Sequence, residues 1–146
     1  MTKTSPAKRS IKFILAEDIR NESDGKFSLL GVFPGERFAI GGEPPPGLTN
    51  AAFFIQSLIF LFIISGGDEG KHPGHFKIIG PDKKTVVMDT PINQPVEIMK
   101  GRSAVFVSGL KPFLGPAFGT YTAQLQIGGN KYKFPFTIEK APTKKS

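Results

Sequence analysis

The chain has no cysteine and no tryptophan, and only two tyrosines, two histidines and three methionines among its 146 residues. Without cysteine there is no disulfide, no thiolate metal site and no cysteine nucleophile. Small secreted domains commonly depend on disulfide cross-links, so their absence favours a reducing compartment, and the cytoplasm is the expected location. Long apolar runs are scarce as well. The longest, residues 51–64, would span about 21 Å as a helix, against a hydrocarbon core of ~30 Å. No membrane partner is therefore expected. Residues 2–10 are polar and basic, and no apolar core follows within the first ten positions, so no signal peptide is expected. No G-x-S-x-G string frames a nucleophile elbow, and no G-x-x-x-x-G-K-[ST] string cradles a phosphate.

Positive charge is in excess, with a formal net charge of +7. Its position argues against a nucleic-acid partner. Lys3, Lys8 and Arg9 lie near the start of the chain, and Lys140, Lys144 and Lys145 near its end. Without these six, thirteen basic side chains face twelve acidic ones, so the body has no net field to draw a polyanion. No nucleic acid is expected as a partner.

Phenylalanine is abundant, with 14 copies, and it brings bulk to a core without a hydrogen-bonding demand. Glycine (17) and proline (13) fall at intervals between apolar stretches, as turn residues do. Between them the alternation has a period of two. In residues 11–19, Ile11, Phe13, Leu15 and Ile19 share one parity, with Lys12 and Asp18 on the other. Asp24-Gly25 signals a hairpin into residues 26–33, where Phe27, Leu29 and Phe33 share a face. A short strand is expected at 36–40, a Gly/Pro loop at 41–50, and further strands at 75–79, 85–88, 96–99 and 104–107. The last hairpin is the clearest. Tyr121, Ala123, Leu125 and Ile127 face one way, and Tyr132, Phe134, Phe136 and Ile138 answer them across Gly128-Gly129-Asn130. Pro135 falls on the outward parity, which marks an edge strand. Residues 65–74 and 111–118 read as loops.

The expected fold is all-β: one antiparallel β-sandwich of about 8–10 short strands over residues 11–139. Flexible basic arms are expected at 1–10 and 140–146. The run from Leu15 through Ala-Glu-Asp-Ile-Arg-Asn-Glu-Ser-Asp-Gly-Lys-Phe-Ser-Leu-Leu-Gly-Val to Phe33 resembles the opening of an uncharacterised bacterial family of small immunoglobulin-like sandwich proteins. The turn Gly80-Pro81-Asp82 and the hairpin from Gly119 to Phe136 add to that resemblance. The one departure is Lys83, where the family carries glycine. The resemblance implies an immunoglobulin-like fold, and no activity comes with it.

Three groups of side chains are candidates for chemistry or contact. Asp68, His72 and His75 gather both histidines near a carboxylate, a set that could hold zinc with one position open. Pro73-Gly74 interrupts them and no helical H-E-x-x-H spacing is present, so a solvated loop is the blander reading. Glu17, Asp18, Glu22 and Asp24 gather oxygens as calcium loops do, but Arg20 and Lys26 sit among them and the EF-hand spacing is missing. Residues 51–64 are apolar on both parities, with only Gln56 and Ser57 polar. As a strand they need cover on two faces: the core on one, and loop 41–50 or a second subunit on the other. Phe54, Leu58, Phe60 and Phe62 are the contact residues nominated for such a seam.

The expected function follows. It is a non-catalytic binding or assembly module with no cofactor, whose partner is a second copy or another protein. Two alternatives stand beside it. One is a metal-dependent enzyme using Asp68, His72 and His75. The other is a virion or phage structural domain, on fold analogy.

Overall fold

Residues 119–140 show how this sequence makes its sheets. Thr122, Gln124 and Gln126 alternate with Tyr121, Ala123, Leu125 and Ile127, and the second set is buried to within 1%. Gly128-Gly129 turns the chain, and Tyr121 then pairs with Phe136, Ala123 with Phe134 and Leu125 with Tyr132. One face is dry and the other wet, as antiparallel sheets allow.

A computed structural model describes residues 8–41, 46–47 and 51–142. Thirteen strands occur among them: β1 (Ser10–Asn21), β2 (Phe27–Val32), β3 (Arg37–Ile40), β4 (Phe53–Ile55), β5 (Leu58–Ser65), β6 (Gly70–His72), β7 (Gly74–Ile79), β8 (Val86–Pro91), β9 (Val96–Ile98), β10 (Ser103–Leu110), β11 (Phe113–Gly115), β12 (Gly119–Ile127) and β13 (Asn130–Lys140). The protein is all-β, and its one helical turn among the described residues is the 3-10 turn Ser23–Gly25 in the β1–β2 hairpin. A four-stranded sheet has the order β10-β5-β1-β2, and a five-stranded sheet the order β3-β13-β12-β7-β8. Two ribbons, β4–β11 and β6–β9, complete the strands.

The two larger sheets meet through phenylalanine. Phe62 of β5 lies 5.6 Å from Phe76 of β7 and 5.4 Å from Phe134 of β13, ring centre to ring centre. Phe60 meets Phe136 at 5.5 Å, and Phe13 of β1 stacks on Phe62 at 5.1 Å. Each such pair contributes about 0.5–1.5 kcal/mol beyond the area it buries. Tyr121 belongs to the same core, and its hydroxyl donates to the carbonyl of Ala117 at 2.5 Å. Burial raises the Tyr121 hydroxyl above the usual phenol range.

Several expectations are corrected here. Residues 51–64 are not one strand: the chain breaks at Gln56-Ser57, and β4 leaves to pair with β11 while β5 enters the four-stranded sheet. Strands β6 and β11 occupy stretches that read as a polar loop and a Pro/Gly loop. Each is three residues long, too short for alternation to be seen. The sheets are not wholly antiparallel, because β3 runs parallel to the end of β13. That parallel pairing also makes β13 an interior strand. Pro135 is tolerated because β3 joins only from Thr137 onward, so the strand is locally an edge at the proline. Of the expected arms, residues 1–7 and 143–146 lie outside the described residues, as do 42–45 and 48–50 of the expected loop. Arg9 is not free: its guanidinium donates to the Gly66 carbonyl and to the Tyr132 hydroxyl.

Candidate functional site

Asp68, His72 and His75 are not brought together. The His72 Nε2 engages the backbone carbonyl of Asp68 at 2.7 Å, closing a turn before β6. His75 lies on the wet face of the five-stranded sheet, where its Nε2 meets Asp89 Oδ1 on β8. No group of three His, Asp or Glu side chains among the described residues is placed to share a metal ion. Two of the four clustered acids take other partners: Asp18 pairs with Lys111 at 3.3 Å, and Glu22 accepts from the Ser28 hydroxyl.

The nominated seam is also rearranged. Leu58, Phe60 and Phe62 point between the two larger sheets and have no exposure. Phe54 is on the other side of the break, half-buried on β4. These four residues therefore do not make one surface. Cover for that face of β5 comes from the chain's own second sheet.

The other face of β5 is where the unusual surface lies. Strand pairing fixes its rows. Ile14 of β1 is opposite Leu61, which is opposite Val107 of β10. Ile63 lies between Lys12 and Val105. Ala16 is next to Ile59 on one side and Val32 of β2 on the other, and Leu30 of β2 follows opposite Asp18. The outward face of the four-stranded sheet thus carries apolar side chains on all four strands, interrupted on β1 by Lys12 and Asp18. Its centre is buried, with Ala16 and Leu61 at 0% exposure and Ile59 at 3%, while its margins are bare: Val32 is 51% exposed, Val105 45% and Leu30 40%. The five-stranded sheet shows the ordinary alternative, presenting His75, Lys77, Gln124, Gln126, Lys131 and Lys133 outward. The sequence signal for the apolar face was the double parity of residues 59–63. The contributions of β1, β2 and β10 could not be read until strand order was known.

A cleft of about 870 Å³ opens where the β1–β2 hairpin leaves the body. Phe33, Ile40, Phe54, Ile55 and Pro112 form its apolar wall, and Glu17, Asp18 and Lys111 its charged rim. The Asp18 carboxyl is held below the usual aspartate range, first by the Ile19 backbone N–H at 2.8 Å and then by Lys111. That pair is exposed, so it orients the rim more than it stabilises the fold. Ser57 Oγ, at the break between β4 and β5, is buried without a hydrogen-bond partner among the described residues and lies in the wall of the same cleft.

No protein-family model matches the chain, and no curated protein does. Among the described residues no helix is long and apolar enough to cross a membrane.

Proposed function

We propose that the protein is a non-catalytic assembly module, an immunoglobulin-like sandwich in which two copies associate through the four-stranded sheet. The observation that carries this reading is the outward face of that sheet. A sandwich sheet ordinarily turns polar side chains to water, and here Ile14, Leu30, Val32, Ile63, Val105 and Val107 take their place. Contiguous apolar surface of this kind marks contact sites.

Magnitudes limit how that contact is made. Fully burying one such side chain is worth about 1.5–3 kcal/mol. Leu30 and Val32, neighbours on the β2 margin, are each about half exposed, so each adds on the order of 1 kcal/mol when covered. Four of them across two copies offset only the lowest part of an association cost of ~4–15 kcal/mol. A durable pair therefore also needs hydrogen bonds that only a sheet edge supplies.

Support for the immunoglobulin-like part comes from chain order. Strand β5 pairs with β1 and β10, β7 pairs with β12, β12 with β13, and β3 runs parallel beside β13. The Tyr121 hydroxyl reaching the carbonyl four residues upstream fits the tyrosine corner of such sandwiches. The test of the assembly reading is light scattering behind a sizing column over a range of loading concentrations. The mass of two chains is the expected result, and the mass of one chain at every concentration overturns it.

A further inference from the structure

We infer that the joint between the two copies is β2, pairing edge to edge and antiparallel with β2 of the second copy. This rests on the reading that the chains associate through the four-stranded sheet, and it goes further by naming the strand.

Among the described residues the four-stranded sheet ends at β2 on one side and at β10 on the other, and the five-stranded sheet ends at β3 and β8. Edge strands carry unpaired backbone groups, and proteins guard them with charge, proline, bulges or cover. Three of the four edges have such guards. Strand β3 carries Arg37, paired with Glu139. Strand β8 carries Asp89 and Pro91. Strand β10, SAVFVSGL, has no charge and no proline either, but it has strands beside it: β9 runs close to it, and its Ser108 hydroxyl meets Met88 of β8 between the sheets. Strand β2, with the sequence FSLLGV, has no charge and no proline. Its one irregularity is Gly31, whose φ of +64 kinks the strand under the Glu17 side chain.

The far half of this strand is also short of neighbours. Strand β5 pairs with β1 only as far as Ala16, whereas β2 follows β1 out to Asn21. Beyond Ala16 the sheet is therefore a two-stranded ribbon, and it carries apolar side chains on both sides: Ile19 and Leu29 on one parity, Leu30 on the other. Phe27 at its end is 36% exposed. Two-stranded ribbons are marginal in water, and a third strand stabilises them.

The occupant is a second copy because the strand suits itself. A two-fold axis sets each residue near its own counterpart, so a charged edge would repel its twin, and an uncharged one does not. The flanks match as well. Unlike charges flank the strand, with Lys26 just before it and Glu36 four residues beyond its end, so an antiparallel partner brings opposite charges towards one another. The outward apolar faces of the two sheets then run on into one another through Leu30 and Val32.

Because the chain has no cysteine, a single introduced thiol reports a single contact. The full-length variants Ser28→Cys, Leu29→Cys, Leu30→Cys and Val32→Cys are oxidised mildly and run without reductant, beside Ile14→Cys and Ile63→Cys from the middle of the outward face. Circular dichroism first checks that each variant keeps the wild-type fold. The expected result is a doubled mass at the β2 position nearest the axis and single chains at Ile14 and Ile63. Cross-linking at Ile14 or Ile63, or at none of the six positions while the wild type still has the mass of two chains, overturns the β2 joint and leaves the association reading standing. A wild type with the mass of one chain overturns both.

Discussion

In the turn between β7 and β8, where the Gly80 N–H donates to the Thr85 carbonyl and the Lys83 N–H to the Gly80 carbonyl, Asp82 adds three side-chain hydrogen bonds. Its Oδ1 accepts from the backbone N–H groups of Lys84 and Thr85, and its Oδ2 from the Thr85 hydroxyl at 2.5 Å. These donors, the hydroxyl first, hold its carboxyl down to about 2. A depressed carboxyl contributes stability above the ordinary aspartate value of about 4 and loses it as the pH falls through the folded value. Asp82→Asn is therefore expected to show a shallower loss of thermal stability between pH ~4 and ~2 than the wild type, in melts followed by circular dichroism. Next in the chain, Lys83 sits at φ +64. A lysine in this left-handed backbone costs about 1 kcal/mol relative to glycine. Lys83→Gly is expected to raise the midpoint of urea unfolding by a corresponding amount, and a fall would show that the lysine side chain makes up for its backbone.

Strands were legible where alternation was clean and closed by a local turn. The β12–β13 hairpin and the β1–β2 hairpin at Asp24-Gly25 could be read for that reason. What hid the rest was physical. In β5 both parities are apolar, so nothing in the strand alone says which face meets the core, and the even positions Leu58, Phe60 and Phe62 turned out to hold it. Strand β3 pairs with β13 across nearly a hundred residues, and no local pattern encodes a partner that distant. The β4–β11 ribbon is set by one close fit: a Cβ on Gly115 would lie 1.8 Å from the Phe53 ring. Gly115→Ala must displace a fully buried phenylalanine that also packs on Phe113 and Tyr121. Overpacking of this kind costs about 1–3 kcal/mol, so a clear fall in the denaturation midpoint is expected. Gly129→Ala meets nothing within 4 Å and serves as the control that leaves the midpoint near the wild type.

For the molecule as a whole, the two outward faces differ in kind. One carries lysine, glutamine and histidine in rows, as a solvated sheet does. The other carries apolar side chains on all four strands, broken only by Lys12 and Asp18 of β1, and ends at an edge without charge or proline. The sequence showed that an apolar excess existed in residues 51–64 and that it needed cover. It did not show that the core would take one parity, or that β1, β2 and β10 would extend the other into a sheet-wide surface, because both facts depend on strand order. Hydrogen exchange of the backbone amides, read residue by residue at high and low protein concentration, tests the central claim most directly. Slow exchange in Phe27–Val32 that quickens on dilution, with β12 unchanged throughout, is the expected result. Rapid exchange in Phe27–Val32 at every concentration would contradict it.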